Sequence, residues 1–309
     1  MSSKNRFFHI LESQQFNKED LSLIFDLAND MEKLSQKEKT LTNKILITLF
    51  YEPSTRTRLS FEAAMIKLGG SVISTENAAS FSSAAKGETL EDTIRVLNGY
   101  GDVIVIRHFE TGAAMRAAKV SDIPIINAGD GVGQHPTQSL LDLYTIKKEL
   151  GKIDGISVAL VGDLANGRTA RSLAYLLSKY KDVKLYFVSP SNVKMGEDIK
   201  EYLRKNNVFF EENEDLREVA KKVDVIYQTR IQRERFLNPE EYEKAKGVYV
   251  IDKELMKYLP SHSIVLHPLP RVDEIKYEVD SDHRAAYFRQ AHNGLYIRMA
   301  LLSLVLGCY

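Results

Sequence analysis

The sequence KILITLFYEPSTRTRLSFEAAMIKL, residues 44–68, decides the fold. Its first part, Lys44–Tyr51, is an apolar run typical of a buried strand, and Leu59–Leu68 has the spacing of a helix. Pro53 ends the strand, because proline has no N–H group to donate to a neighbouring strand. A buried strand that passes through a short turn into a helix is the repeating unit of an α/β protein.

The turn between these two elements indicates an anion site. The segment Ser54–Arg58 places three hydroxyl groups and two guanidinium groups around the first turn of the helix. A helix start attracts anions, because its first N–H groups are unpaired and its dipole end is positive. Guanidinium groups add planar donors that match phosphate oxygens. An ordinary cap needs only one hydroxyl, so we interpret the accumulation as a phosphate site.

Composition limits the class of protein. The chain has 309 residues, enough for two domains, and is 44% hydrophobic and 27% charged. Lys plus Arg and Asp plus Glu number 42 each, which argues against a nucleic-acid or membrane-surface binder. The single cysteine, Cys308, excludes an internal disulfide and a thiolate metal cluster. Without a signal-peptide pattern or a long apolar run, we expect a cytoplasmic protein.

Strand and helix patterns alternate along the whole chain, which predicts two α/β domains. Each is expected to be a mostly parallel sheet flanked by helices, because runs such as VIVI and VALV are apolar on both faces. The boundary is predicted at the helix Thr137–Leu150, and the apolar last helix, Arg284–Leu306, is expected to pack back on the first domain. We predict strands at residues 44–51, 71–75, 103–107, 124–127, 157–162, 184–188, 208–211, 224–229, 248–251 and 264–267.

Further cationic and hydrogen-bonding side chains follow strands or open helices. Arg107 and Arg230 end predicted strands, where α/β proteins bind ligands, although a surface arginine is the alternative at Arg107. His135 and Gln138 are three residues apart, so they share one face of a first helical turn. A neutral imidazole there can donate to a carbonyl oxygen that gains negative charge.

Two further loops contain candidate binding groups. Lys86 is the one cation in the small-residue loop Asn77–Glu88, which suits a lid that carries charge to a bound anion. The prolines of His267–Arg271 leave backbone carbonyl groups able to accept from an amine.

The segment Gly162–Thr169 differs by one residue from a nucleotide-binding P-loop, with Arg168 in place of the lysine. We reject that interpretation, because arginine does not replace a compact charge freely and Asp163 would stand beside the phosphates. We retain Arg168 as a ligand-facing residue.

These motifs, in this order over nearly the whole chain, resemble the aspartate carbamoyltransferase family. The matching sequences are STRTR, the Lys86 loop, RH, HPTQ, GRT, TRIQRER and HPLPRVDEI. The resemblance implies a transferase of pyrimidine biosynthesis that joins carbamoyl phosphate to L-aspartate and needs no metal or organic cofactor. It also implies a homotrimer with shared active sites, and it leaves open whether regulatory chains or a dihydroorotase bind.

The resemblance also implies a role for each motif. Carbamoyl phosphate would be bound by Ser54, Thr55, Arg56, Thr57, Arg107, His135 and Gln138, with Ser82 and Lys86 supplied by a neighbouring chain. Aspartate would be bound by Arg168, Arg230, Gln232, Lys86 and the carbonyl groups of Leu269 and Pro270. Catalysis would depend on Arg56, Thr57, Lys86, Arg107 and His135. The carbamoyl-phosphate domain would comprise residues 1–135 and 287–309, and the aspartate domain residues 136–286.

Some positions depart from the family pattern, and two alternatives remain. Ala85 stands where a second lysine is frequent, Phe109 where proline is usual, and Leu164–Arg171 differs from a common sequence. The main alternative is an ornithine-specific carbamoyltransferase, although that branch usually has HCLP where this chain has His267–Pro270. The second alternative, from another class, is a P-loop-like nucleotide-binding protein.

Overall fold

The computed structural model describes residues 6–34, 39–78, 87–231, 238, 240, 242 and 246–309. Three predicted site residues, Ser82, Lys86 and Gln232, lie outside these ranges. The chain forms two compact units, of which the first comprises Met1–Leu140 and Asn293–Tyr309 and the second Leu141–His292. Within the described ranges, no helix has the length and apolar character needed to cross a bilayer.

The first unit contains a parallel sheet of four strands in the order β2-β1-β3-β4. Its elements are α1 (Lys18–Lys33), β1 (Ile45–Phe50), α2 (Thr55–Lys67), β2 (Ser71–Glu76), α3 (Leu90–Leu97), β3 (Val103–His108), α4 (Ala113–Val120) and β4 (Ile125–Asp130). The inner strand β1 is buried from Leu46 to Phe50, whereas the edge strand β2 is largely exposed. A capping box opens α1, since the side chains of Asn17 and Asp20 each accept a hydrogen bond from the other's backbone N–H.

The second unit contains a parallel sheet of five strands in the order β7-β6-β5-β8-β9. Its elements after the connecting helix α5 (Pro136–Leu150) are β5 (Ser157–Val161), α6 (Arg168–Leu177), β6 (Lys184–Val188), α7 (Glu197–Lys205), β7 (Phe209–Asn213), α8 (Leu216–Ala220), β8 (Val225–Gln228), α9 (Lys253–Met256) and β9 (Ile264–Leu266).

The fold confirms the predicted α/β class and corrects one strand. The segment 248–251 is not a strand: Val248 is exposed, and Ile251 forms only an isolated bridge to Ile275. The place beside β8 is taken by β9. The last helix, α10 (Tyr287–Leu306), ends within the first unit, where Ile297 and Leu301 are fully buried.

Candidate active site

The first sheet places two of the predicted ligand-binding segments side by side. From β1 the chain moves to β2 on one side, and it then returns to form β3 on the other side of β1. Ligands of α/β proteins bind at the carboxyl ends of the strands where the chain reverses in this way. Ser54–Thr57 follows β1, and Arg107 pairs in register with Phe50 at the end of β1.

The hydroxyl group of Ser54 does not cap the helix that it precedes. Ser54 is the N-cap residue of α2, yet its side chain makes no capping hydrogen bond. Its Oγ accepts instead from Nη1 of Arg107 at 3.4 Å. Thr55 and Arg56 on the first turn are exposed, and Thr57 is buried. This arrangement favours the anion-site interpretation over an ordinary cap.

Arg58 does not belong to the anion site, which corrects the interpretation of the sequence. Its Nη1 donates to Oε1 of Glu62 at 3.1 Å and to Oγ of Ser74 at 3.0 Å, and Nη2 donates to Oε2 of Glu76 at 2.8 Å. Arg58 and Glu62 are four residues apart, so they lie on the same face of α2 and reach β2 together. The guanidinium group therefore joins α2 to β2.

Arg107 lies beside the carboxylate of Glu52. Nε of Arg107 is 3.3 Å from Oε2 of Glu52, without hydrogen-bond geometry between the two atoms. The two side chains are 17% and 26% exposed, so water screens their attraction only in part. Glu52 and Ser54 thus hold the guanidinium group at the carboxyl end of β1.

The loop after β4 is organised by Asp130. Its Oδ1 accepts from the N–H of Gln134 at 2.9 Å, and its Oδ2 accepts from the N–H of Gly112 at 2.7 Å. Gly131 has a φ of +51°, and a Cβ atom there would lie 2.7 Å from the carbonyl oxygen of Phe109. Only glycine fits this turn without strain, because both the backbone conformation and the space exclude a side chain.

This loop leads to His135 and Gln138, which the structure places on one helical turn. The N–H of Gln138 donates to the carbonyl oxygen of His135 at 3.0 Å. Both side chains are buried, and Nδ1 of His135 lies 3.4 Å from the hydroxyl oxygen of Thr137. If Thr137 donates, neutral His135 carries its proton on Nε2. In that tautomer the imidazole is a donor through Nε2.

His108, next to Arg107, has a structural role. Its Nδ1 accepts from the N–H of Glu110 at 3.0 Å, and its ring stacks on Phe109 with centroids 4.3 Å apart. Burial lowers the pKa of His108, which keeps the ring uncharged at neutral pH.

The second sheet has its own reversal point, between β5 and β8, and two predicted arginines lie there. Arg168 is the first residue of α6, which follows β5, and Arg230 comes two residues after β8. The strand ends approach closely, since a Cβ atom on Gly162 would lie 2.5 Å from the carbonyl oxygen of Thr229. Both arginines are half-buried. The sheet therefore brings together two cations that are distant in sequence.

The loop before α6 differs from a P-loop in how it uses its donors. Asp163 is fully buried, and its Oδ1 accepts from the N–H of Asn166 at 3.0 Å and from its side-chain amide at 3.2 Å. A Cβ atom on Gly167 would lie 2.3 Å from the carbonyl oxygen of Asp163. A buried carboxylate thus takes a backbone donor that a P-loop would offer to phosphate.

The turn after β9 carries Leu269 and Pro270, joined by a cis peptide bond. Nδ1 of His267 accepts from the N–H of Leu269 at 2.7 Å, and Nε2 lies 2.8 Å from Oε1 of Glu274. Burial raises the pKa of Glu274, but the hydrogen bond from His267 and the backbone hydrogen bonds, among them that of Val272, outweigh burial, so that the pKa is lowered overall. Sequence reasoning missed both His267 and Glu274 as supports, although both lie within the HPLPRVDE motif.

Comparison with known proteins gives matches over nearly the whole chain. The family model for the carbamoyl-P binding domain of aspartate/ornithine carbamoyltransferase matches residues 9–148, and the model for the Asp/Orn binding domain matches residues 154–305. Aspartate carbamoyltransferase 1 of Pisum sativum, named as chloroplastic, is 63% identical over 96% of this chain and 78% of its own length. The aspartate carbamoyltransferase catalytic subunit of Methanocaldococcus jannaschii is 52% identical over 95% of this chain and 96% of its own length.

Solved structures agree with these matches. Aspartate transcarbamoylase of Trypanosoma cruzi in complex with carbamoyl aspartate and phosphate has a TM-score of 0.90 and 42% identity, over 95% of this chain and 94% of that chain. The catalytic subunit from M. jannaschii has a TM-score of 0.89 and 52% identity, over 96% of this chain and 97% of that chain.

Proposed function

The chain belongs to the aspartate/ornithine carbamoyltransferase family, and we propose the following function for it. It transfers the carbamoyl group of carbamoyl phosphate to the amine of L-aspartate, giving N-carbamoyl-L-aspartate and phosphate. The observation that carries this function is the meeting of Ser54–Thr57 with Arg107 at the reversal point of the first sheet. Enzymes named for this reaction are 63% and 52% identical to the chain.

In the proposed site, the start of α2 holds the phosphate group. The segment Ser54–Thr57 supplies hydroxyl groups, the guanidinium group of Arg56 and the N–H groups of the first helical turn. Support comes from Ser54, whose hydroxyl group makes no cap and instead contacts Arg107. The phosphate is the leaving group of the reaction, so the positive end of the helix stabilises charge that appears as the bond breaks.

Arg107, His135, Gln138 and Thr57 are proposed to bind the carbamoyl end. When the aspartate amine attacks the carbamoyl carbon, negative charge develops on the carbamoyl oxygen. Arg107 and the Nε2–H group of neutral His135 are suitable donors for that oxygen. The reaction needs no side-chain nucleophile, so positioning of the two substrates and electrostatic stabilisation supply the rate.

The second unit is proposed to bind aspartate. Arg168 and Arg230 are suited to its two carboxylate groups, because guanidinium groups form paired hydrogen bonds with carboxylates. The carbonyl groups of Leu269 and Pro270 would accept from its amine. We also propose that Gln232 binds aspartate. We likewise propose residues 1–135 and 287–309 as the carbamoyl-phosphate domain and residues 136–286 as the aspartate domain.

A homotrimer in which Ser82 and Lys86 enter a neighbour's site is also a proposal. The apolar side chains of Leu59, Ile66 and Ile73 support it, since they are 48%, 61% and 45% exposed on α2 and β2. Light scattering on the purified protein tests the assembly, and mass beyond three copies would reveal a bound regulatory chain or dihydroorotase. Mixing inactive Lys86→Ala and Arg56→Ala proteins should restore activity, because mixed trimers contain some sites with both residues intact.

The cytoplasm is the proposed compartment, and the single cysteine, Cys308, is compatible with a reducing environment. Plant relatives are named as chloroplastic, so the test is the location of a fluorescent fusion in the source cells. Fluorescence confined to plastids would contradict the proposal.

A substrate assay tests the reaction. The protein is incubated with carbamoyl phosphate plus aspartate, with carbamoyl phosphate plus ornithine, and with ATP alone. We expect a carbamoylated product only with aspartate. Turnover with ornithine alone, or ATP hydrolysis without carbamoyl transfer, would overturn the function.

A further inference from the structure

The ring of His267 has a single hydrogen-bonding arrangement. Its side chain is 1% exposed, and both ring nitrogens have partners, the N–H of Leu269 at 2.7 Å and the carboxylate of Glu274 at 2.8 Å. A backbone N–H is always a donor, so Nδ1 must be the acceptor. The ring proton is therefore on Nε2 and is donated to Glu274. One tautomer of neutral His267 satisfies both contacts.

The partners of His267 are themselves held in place. The carboxylate of Glu274 also accepts from the N–H of Val272 at 3.2 Å. The N–H of His267 donates to Oε1 of Gln290 at 2.8 Å, and Nε2 of Gln290 donates to Oδ1 of Asp142 at 2.6 Å. Backbone and side chain of His267 are thus fixed from two directions within the second unit.

The turn that His267 contacts needs such support. Leu269 has a φ of +55°, a left-handed conformation that residues with a side chain rarely adopt. Strained residues of this kind persist where surrounding contacts hold them, and they cluster at ligand sites. The bond from the N–H of Leu269 to the His267 ring is a contact that holds this conformation. The course of the backbone through Leu269 into Pro270 depends on this conformation.

We propose that His267 is a positioning residue for the aspartate amine. Tied to Glu274 through Nε2–H, its ring holds the N–H of Leu269 and so keeps the carbonyl groups of Leu269 and Pro270 turned toward the amine. This inference rests on the proposed function, in which those two carbonyl groups accept from aspartate.

Two substitutions of His267 separate its two hydrogen bonds. In His267→Asn, Oδ1 takes the place of Nδ1 and still accepts from Leu269, whereas the donor to Glu274 is lost. In His267→Gln, the amide still donates to Glu274, whereas the acceptor for Leu269 is lost. We expect the KM for aspartate to rise roughly tenfold in His267→Gln and less than about threefold in His267→Asn.

Succinate provides the control, because it is aspartate without the amine. We expect its inhibition constant, and the dissociation constant of carbamoyl phosphate, to stay unchanged in both variants. If His267 only supports packing, the binding of aspartate and the binding of succinate should weaken equally, in proportion to the loss of stability. That result would overturn the proposal. Equal KM values for aspartate in wild type and His267→Gln also overturn it.

Glu274→Ala is a second variant, measured in case His267→Gln does not fold. It removes the acceptor that keeps the ring proton on Nε2, so that the proton can occupy Nδ1 and the ring no longer accepts from Leu269; we expect a higher KM for aspartate with unchanged inhibition by succinate. An unchanged KM for aspartate contradicts the proposal. If the wild-type protein itself does not carbamoylate aspartate, the proposed function fails, and that outcome is distinct from any effect of the variants.

Discussion

Replacing Arg56 and Arg58 separately by alanine tests which arginine of the first helical turn binds phosphate. The two residues are equivalent in the sequence, but the structure gives them different surroundings. Arg56 is exposed on the turn, whereas the Arg58 side chain is 19% exposed and contacts Glu62, Ser74 and Glu76. We therefore expect Arg56→Ala to change catalysis and Arg58→Ala to change stability.

The expected magnitudes follow from these contacts. Removing a donor that stabilises charge in the transition state costs about 3–4 kcal/mol, so kcat/KM should fall about 10²- to 10³-fold in Arg56→Ala. Arg58→Ala removes two charge-assisted bonds, each of about 1.5–3 kcal/mol before solvent screening. Glu76 is 39% exposed, so screening reduces the second of these bonds, and we expect a net loss of about 2 kcal/mol.

Three measurements check the pair: steady-state kinetics, calorimetric binding of carbamoyl phosphate, and thermal unfolding. Arg56→Ala should bind carbamoyl phosphate weakly and unfold at nearly the wild-type temperature. Arg58→Ala should keep kcat/KM within about threefold and unfold about 4–8 °C lower. Near-normal activity in Arg56→Ala, or an equal kinetic loss in Arg58→Ala without a loss of stability, would refute the reasoning.

Three further changes have expected outcomes. Ser54→Ala should alter the free energy of unfolding by less than about 0.5 kcal/mol, because no capping bond is lost, and should raise the KM for carbamoyl phosphate. Gly131→Ala should destabilise the protein by more than about 1 kcal/mol in chemical unfolding and lower kcat, because its Cβ would meet the carbonyl oxygen of Phe109. The hydrogen bond from Arg284 lowers the pKa of Asp282 to about 2. The ionised carboxylate of Asp282 therefore stabilises the folded protein at pH values above the usual pKa of an aspartate, and this contribution is lost as the pH falls toward 2. Asp282→Asn should therefore show a smaller loss of melting temperature than wild type between about pH 4 and pH 2.

The α/β class and most strands are predictable from the sequence, because each depends on the pattern of nearby residues. Apolar runs such as Lys44–Tyr51 identify buried strands whatever their order in the sheet. The segment 248–251 has a similar pattern, yet it forms only an isolated bridge to Ile275, and β9 is the strand beside β8. The apolar pattern alone does not show which segments join the sheet.

Candidate site residues were recognisable where the motif itself carries the chemistry. The hydroxyl and guanidinium groups of Ser54–Arg58 predict an anion site, and the spacing of His135 and Gln138 predicts a shared turn. The prediction that Arg58 binds the anion was wrong. Arg58 pairs with Glu62, four residues along the same helix, and its other partners, Ser74 and Glu76, lie on the neighbouring strand. The contact between Glu52 and Arg107 was not predicted for a related reason, since Arg107 lies on another strand.

Residue types and short-range spacing already specify that this chain alternates strands and helices and that it carries anion-binding groups. Strand order, which places Arg107 beside the end of β1 and brings Arg168 to the same reversal point as Arg230, depends on contacts between distant segments. The choice between Arg56 and Arg58 depends on the same kind of contact, since Ser74 and Glu76, which bind Arg58, lie on the neighbouring strand β2. A hydrogen bond is made only when both partners are within about 3.5 Å, and folding alone brings residues far apart in the chain to that distance.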